Sequence, residues 1–194
     1  MKRRTFLAIN LPESAKKKLK AYQEKLNYLP VRWTKEASLH LTLVFIGYIS
    51  NEQMLEVCQT TRKVASESEP FFINFKRIIL GPPILRQAQD KLPRMIWVEG
   101  EANSSLTELK NKLQQALLNC NSGFHHIENR PFKPHITLAR IKMEQWRKAN
   151  IERSLVEKNF EAQVLVNSIE VMESDLRRDG AEYVVLESCE LGQN

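Results

Sequence analysis

Two copies of one short motif carry the side chains best suited to chemistry. His40-Leu41-Thr42-Leu43 and His135-Ile136-Thr137-Leu138 both read His-x-Thr-Leu, and together they contain two of the four histidines in the chain. Alternate residues of a β-strand share a face, so each histidine is expected beside its threonine. One such pair is usually a hydrogen-bonded structural feature. Its recurrence in the second half of the chain indicates a functional site instead.

Two imidazoles on either side of one phosphorus atom can work as an acid–base pair. Because the ordinary pKa of histidine lies near neutrality, one ring can accept a proton from the nucleophile while the other donates one to the leaving oxygen. The hydroxyls of Thr42 and Thr137 can donate hydrogen bonds to nonbridging phosphate oxygens. These dipoles suffice for a diester anion, so we expect no metal and no other cofactor. The motifs are equivalent, which leaves open the roles of His40 and His135 as acid or base.

The other residues with chemical potential have simpler interpretations. His125 and His126 lie in a polar segment without further ligands at workable spacing, which favours loop histidines over a metal site. The cysteines are three, widely spaced, and typical of buried residues in a reducing compartment; they are Cys58, Cys120 and Cys189. The tryptophans are expected in the core or in a cleft wall; they are Trp33, Trp97 and Trp146.

The composition is that of a soluble globular protein of 194 residues, with 42% hydrophobic and 27% charged residues. No apolar run approaches the roughly 20 residues of a membrane span, and the apolar start is too short for a signal peptide. We therefore expect a cytoplasmic protein without a membrane partner. The net charge of +6 suits a polyanion such as RNA, although the lysines at 16, 17, 18 and 20 are also consistent with the solvated face of a helix.

Hydrophobic periodicity predicts the order strand, helix, motif strand, helix, strand twice. The first pass has strands at 4–11, 39–47 and 71–80 and helices at 13–29 and 51–66, the latter capped by Asn51. The second has strands at 95–99, 135–140 and 160–172 and helices at 103–120 and 144–156. A last strand at 183–191 pairs back through a turn at 178–180, and 84–94 forms an exposed loop.

This repetition predicts one domain over 1–194 with an internal repeat at about 4–80 and 94–173. Two pseudo-symmetric lobes would bring the two motifs face to face across a cleft. The expected class is α+β, with an antiparallel sheet in each lobe and helices on its outer face.

The motifs and their surroundings resemble the paired HxTx signatures of the 2H phosphoesterase superfamily. The context is closest to the bacterial and archaeal RNA 2′,3′-cyclic phosphodiesterases, also called 2′-5′ RNA ligases. Outside the motifs, the resemblance is carried by Arg4 to Pro12, Val31-Arg32-Trp33, Phe45, Gly47, Ile96-Trp97-Val98, Pro131 to Pro134, Arg140, Glu173-Ser174, Gly180 and Tyr183. It spans nearly the whole chain and departs at 84–92, which is longer than the usual link.

The resemblance implies an enzyme that opens a terminal 2′,3′-cyclic phosphate of RNA to a 2′-phosphomonoester, with RNA or nucleotide ends as partners of a monomer. It implies that His40 is the proton donor and His135 the proton acceptor, and that Thr42 and Thr137 hold the phosphate. Alternatives are a 2′-5′ RNA ligase or phosphodiesterase, another cyclic-phosphate hydrolase, and a noncatalytic module that binds RNA ends.

Phe45 and Arg140 each follow the motif histidine by five residues. Five is an odd number, so in an unbroken strand both would face away from the histidines. Geometry alone favours a core phenylalanine and a solvated arginine, and a site role requires a bulge or a strand end. The resemblance implies that Arg140 clamps the phosphate and that Phe45 stacks on a base, which is physically reasonable for nucleic acid.

Overall fold

The computed structural model describes residues 2–81, 93–124, 127, 132–177 and 180–193. His125, His126, most of the expected loop at 84–94 and part of the expected turn at 178–180 lie outside the described residues.

The described chain alternates strands and helices. The strands are β1 (Arg3–Asn10), β2 (Val31–Trp33), β3 (His40–Ile49), β4 (Phe71–Leu80), β5 (Met95–Gly100), β6 (His135–Ile141), β7 (Lys158–Val166), β8 (Ser168–Arg177) and β9 (Gly180–Glu190). The helices are α1 (Glu13–Lys25), α2 (Asn51–Ser66), α3 (Ser104–Leu118), α4 (Met143–Ala149) and α5 (Arg153–Val156). A 3₁₀ turn, Glu36–Ser38, precedes β3.

All strands of the described chain form one antiparallel sheet in the order β7-β4-β5-β6-β3-β1-β8-β9, and β2 also pairs with β6. The two motif strands meet in the middle, where Leu41 pairs with Ile136. We call β3, β1, β8 and β9 half-sheet A, and β6, β5, β4 and β7 half-sheet B. The predicted α+β class with antiparallel lobes is confirmed, the lobes being the two halves of this continuous sheet.

The strand order shows an exchange between the halves. β4, the last strand of the first predicted repeat, lies in half-sheet B between β5 and β7. The corresponding place beside β1 in half-sheet A is taken by β8. Each half therefore contains strands from both parts of the chain, and the organisation as one domain with an internal repeat stays a prediction.

Several element ends differ from the periodicity-based expectations. The cap of α2 is Ser50, whose hydroxyl accepts from the backbone N–H of Gln53, while the side-chain Oε1 of Gln53 accepts from the backbone N–H of Ser50. Asn150 adopts a left-handed φ of 44° and divides the predicted helix 144–156 into α4 and α5. The predicted strand 160–172 is interrupted at Asn167, so that β7 and β8 join different half-sheets. Periodicity does not reveal such breaks, because the apolar pattern continues across them.

The main core lies between the sheet and the helices, with α2 against β8 and β9 and α3 against β3. A smaller cluster of Phe6, Ala8 and Met172, with Tyr183 against it, covers the opposite face of half-sheet A. This second face, which we call the site face, carries the alternate side chains of β1 and β8.

Some individual expectations need correction. Lys16 is only 6% exposed, beside Glu13, so the lysine run of α1 is not entirely a solvated face. Cys58 and Cys189 are buried as expected, whereas Cys120 is half-buried. Trp146 belongs to the core. Among the described residues, no helix is both long and apolar enough to cross a bilayer.

Candidate active site

A cavity of about 110 Å³ opens on the site face where the half-sheets meet. It is lined by the six residues that the sequence singled out, His40, Thr42, Phe45, His135, Thr137 and Arg140. Half-sheet A contributes the first three through β3, and half-sheet B contributes the others through β6. The pairing of β3 with β6 is what brings the two motifs to one cavity.

Each motif histidine is held by the backbone carbonyl two residues before it. The Nδ1–H of His40 donates to Ser38 O at 2.7 Å, and that of His135 donates to Lys133 O at 2.8 Å. A carbonyl oxygen can only accept, so these bonds assign the proton of the neutral ring to Nδ1. In each neutral ring, Nε2 is thereby the nitrogen whose lone pair can accept a proton.

Thr42 is already engaged with its histidine. Its Oγ1 lies 3.1 Å from His40 Nε2. When His40 is neutral the hydroxyl donates to Nε2, and when it is protonated Nε2–H donates to the hydroxyl. The threonine therefore adapts to either protonation state of His40.

The aromatic surroundings of the two rings differ. His40 lies between Phe6, with ring centroids 5.0 Å apart, and the edge-on Tyr183, at 4.9 Å. His135 instead stacks on Trp97, with centroids 3.9 Å apart and an interplanar angle of 23°. The negative face of an indole stabilises a cation placed over it, so Trp97 favours the protonated form of His135.

Burial lowers the pKa of both histidines, since a partly desolvated site disfavours the charged ring. The carbonyl partners oppose this effect by favouring the protonated ring. Repulsion by a charged His135 lowers the pKa of His40 further. The cavity therefore favours neutral rings and disfavours two imidazolium ions at once.

Matching β-bulges place Phe45 and Arg140 at the cavity. In each motif strand the register shifts by one residue immediately after the threonine. The extra residue is the leucine that closes each motif, Leu43 in β3 and Leu138 in β6. One extra residue reverses the alternation, so that a side chain five positions after the histidine returns to the histidine's face.

The consequence for Phe45 is visible in its exposure. Its side chain is 53% exposed, so the geometry-based interpretation of Phe45 as a core residue is wrong. Arg140 is also exposed and reaches the same cavity. The bulge that a site role requires is present in both strands, and the binding roles of these two residues stay predictions.

Sequence reasoning did not assign roles to several residues that line or border the cavity. Arg4 and Phe6 reach it from β1, Ser174 from β8 and Tyr183 from β9. Their spacing in the chain shows which of them share a strand face. It does not show that β1 and β8 are neighbours, and this pairing is what brings Ser174 to the cavity beside Arg4 and Phe6.

A larger open groove of about 1110 Å³ lies on half-sheet B. Two of its cations are paired with carboxylates, Arg77 with Glu99 at 2.6 Å and Lys76 with Glu101. In contrast, within the described ranges no carboxylate lies within ion-pair distance of Arg4 or Arg140. The two arginines of the smaller cavity are thus available to an anion.

Comparison with known proteins agrees with these observations. Residues 9–88 match the family model described as LigT-like phosphoesterase. The RNA 2′,3′-cyclic phosphodiesterase of Bacillus subtilis is 31% identical over 140 residues, covering 70% of this chain and 69% of the relative. That of Aquifex aeolicus is 29% identical over 163 residues, covering 83% and 82%.

Solved structures show the same fold. TT0787 of Thermus thermophilus superposes with a TM-score of 0.78 at 26% identity, over 97% of this chain and 98% of that one. Escherichia coli LigT superposes with a TM-score of 0.74 at 23% identity over the full length of both chains. Fold and site together define a phosphoesterase, an enzyme of the hydrolase class. The chain belongs to the LigT-like phosphoesterases of the 2H phosphoesterase superfamily.

Proposed function

We propose that this enzyme opens the 2′,3′-cyclic phosphate at the end of an RNA to a 2′-phosphomonoester, without a metal ion. The observation that carries the proposal is the convergence of two histidines and two threonines on one cavity. The relatives from B. subtilis and A. aeolicus are RNA 2′,3′-cyclic phosphodiesterases, which supports the choice of substrate.

The reaction needs one proton accepted and one donated. Nε2 of neutral His135 takes a proton from water as its oxygen attacks phosphorus, and the bond from phosphorus to O3′ breaks. Protonated His40 gives its Nε2 proton to O3′, so the phosphate remains on O2′. The resemblance to the family carries this assignment of roles. The stack on Trp97 is consistent with it, because His135 ends the attack step as an imidazolium.

The remaining groups bind charge and base. The Thr42 and Thr137 hydroxyls and the Arg140 guanidinium would hold the nonbridging oxygens, where negative charge is greatest. Phe45, exposed at the cavity, would stack on the terminal base. With these donors in place, metal coordination is not required for charge stabilisation.

The test is incubation of the pure protein, in excess chelator, with an oligonucleotide that ends in a 2′,3′-cyclic phosphate. We expect turnover to a 2′-phosphate. Replacing His40 or His135 with Ala should reduce the rate about 100-fold or more, the usual effect of losing an acid or base. A Gln163→Ala variant, in the larger groove, serves as the control and should keep full activity.

Other outcomes would identify another function. A 3′-phosphate product, or activity retained in both histidine variants, would contradict the proposed mechanism. Joining of a 5′-hydroxyl RNA to the cyclic end through a 2′-5′ bond would indicate the reverse reaction, ligation. Tight binding of RNA ends without turnover at any pH would indicate a noncatalytic module. We also propose that the enzyme is a cytoplasmic monomer. Size-exclusion chromatography with light scattering tests the oligomeric state.

A further inference from the structure

Two exposed aromatic side chains follow one another on the site face of β3. Phe45 is 53% exposed and Tyr48 is 62% exposed. Tyr48 pairs directly with Arg4 of β1, and directly paired residues project to the same face of a sheet. Since Arg4 lines the cavity, Tyr48 lies on the site face as well.

A second irregularity in β3 makes this arrangement. Between Phe45 and Tyr48 the register with β1 shifts again, with Ile46 as the extra residue and Gly47 at a φ of 96°. Without the shift, residues three apart would face opposite ways. The positive φ explains why residue 47 is a glycine, because a residue with a side chain would be strained in that conformation. The strand therefore presents a second aromatic ring beyond Phe45.

Arg4 supplies a positive charge beside that ring. Its guanidinium donates to Ser174 Oγ at 3.4 Å, and Ser174 is buried. No carboxylate among the described residues lies within ion-pair distance of Arg4. Its neighbour Arg3, by contrast, is paired with Glu173 at 3.1 Å. Arg4 is thus positioned for an anion from outside the protein.

The backbone of Arg4 is set apart from that of the motif residues, although its side chain lines the same cavity. Arg4, Phe6 and Ala8 succeed one another on one face of β1, and Ala8 pairs with Thr42. Four residues of strand correspond to about 13 Å between the Cα atoms of Arg4 and Ala8. The Phe6 ring stands between them, against His40. Arg4 therefore approaches the cavity from the part of β1 that is farther from Thr42.

A terminal nucleotide has its two phosphates on opposite edges of the ribose. The cyclic phosphate is on C2′ and C3′, and the phosphodiester to the preceding nucleotide is on C5′. With the reacting phosphate at the histidines and the terminal base on Phe45, the preceding nucleotide of the RNA would lie toward Arg4 and Tyr48. We propose that Arg4 and Tyr48 form a second nucleotide subsite, in which Arg4 pairs with the preceding phosphodiester and Tyr48 stacks on the preceding base.

The subsite rests on the proposed function, and it adds that the enzyme prefers an RNA chain to a mononucleotide. The test compares a 2′,3′-cyclic mononucleotide with a dinucleotide that has the same cyclic end, by kcat/KM. Binding of the matching mono- and dinucleotide 2′-phosphates is measured in parallel by calorimetry. For the native protein we expect the dinucleotide to be favoured about tenfold or more, from one stacked base and one charged contact.

The variants Arg4→Gln and Tyr48→Ala should each reduce the ratio of dinucleotide to mononucleotide about tenfold. Arg4→Lys should restore part of the ratio, since it keeps the charge. A dinucleotide with an uncharged methylphosphonate linkage should bind the native protein more weakly than the phosphodiester does. The Arg4→Gln variant should bind both equally, because the substitution and the uncharged linkage each remove the same contact, that between Arg4 and the phosphodiester. Arg3→Gln, with the same change in net charge, and Tyr28→Ala, an equally exposed tyrosine elsewhere, are the controls and should leave the ratio unchanged.

The outcomes separate the two proposals. A ratio unchanged in Arg4→Gln and Tyr48→Ala, or an equal loss on both substrates, would overturn the subsite while turnover by the native protein upholds the proposed function. If the native protein binds the 2′-phosphates and turns neither substrate over, the proposed function fails. The calorimetric ratio then decides the subsite by itself.

Discussion

His40 and His135 occupy equivalent positions in their motifs and share the same carbonyl bond at Nδ1. Their faces differ: one ring is between Phe6 and Tyr183, the other on Trp97. The proposed mechanism, in which one histidine accepts a proton and the other donates one, requires two histidines with different proton affinities. The difference is supplied by aromatic neighbours from β1, β9 and β5, outside the motifs themselves.

The pH dependence of activity follows from the lowered pKa values. The base must be neutral and the acid protonated, so kcat/KM should show a bell. Burial lowers the pKa of both rings, which moves both limbs to lower pH than two ordinary histidines would give. We expect the optimum of kcat/KM below about pH 6.5, the ordinary histidine value. Rates measured from pH 4.5 to 9 with a cyclic mononucleotide test this, and an optimum above pH 7 would contradict it.

A variant of Trp97 separates its effect from that of burial. Trp97→Phe keeps an apolar ring against His135 and weakens the attraction for its cation, because indole is the best aromatic partner of a cation. The pKa of His135 should therefore fall by a fraction of a pH unit, and that of His40 should stay in place. An NMR titration of the imidazole protons measures both. A rise in the pKa of His135 would refute the role given to the stack.

At the scale of the elements, the two motif strands share one deformation. The leucine that ends each His-x-Thr-Leu is the bulged residue, and the bulge returns the fifth residue to the cavity. In β3 that residue is Phe45 and in β6 it is Arg140, so the same kind of bulge presents an exposed aromatic ring on one half-sheet and a cation on the other. A regular alternation of buried and exposed residues could not do this.

The helix behind half-sheet A owes its start to a capping box. Replacing Ser50 with Ala removes the acceptor for the Gln53 amide at the first turn of α2, and should lower the free energy of unfolding by about 1 kcal/mol. Ser66→Ala, at the exposed other end of α2, should change it by less than about 0.5 kcal/mol. Urea denaturation followed by circular dichroism measures both. Equal effects of the two substitutions would contradict the assigned cap.

At the scale of the whole molecule, the two half-sheets share one core. The main cluster includes Leu7 and Val171 from half-sheet A and Ile96 and Val164 from half-sheet B. β4 follows β1 and β3 of half-sheet A in the chain but lies in half-sheet B. Similarly, β8 follows β5, β6 and β7 of half-sheet B but lies in half-sheet A. Neither half can complete its sheet without a strand from elsewhere in the chain, which supports one cooperative domain.

We therefore expect the two halves to unfold in one transition. The fluorescence of the tryptophans at 33, 97 and 146 reports on half-sheet B and its attachments. Labelling of Cys58 and Cys189, in α2 and β9, reports on half-sheet A, with Cys120 replaced by Ser to remove the half-buried thiol. Both probes should give the same midpoint in urea. Separate midpoints would show two independent lobes.

The α+β class and the family follow from the sequence, because strand alternation, helical periodicity and two intact motifs are local properties. The positions of the breaks at Asn150 and Asn167 do not, since the apolar pattern runs through them. The six candidate site residues were likewise named from the sequence, and their convergence on one cavity is a result of the tertiary structure.

What only the tertiary structure decided is which neighbours those residues have. The spacing in the sequence predicted that Phe45 faces the core. The bulge in the pairing of β3 with β1 instead directs its side chain to the site face. The sequence assigned no site role to Arg4 or Tyr48 and placed Trp97 in the core or in a cleft wall. Cross-strand register is what places all three beside the site. Local periodicity determines the elements, whereas register is set by contacts between segments far apart in the chain, and the chemistry of the site depends on both.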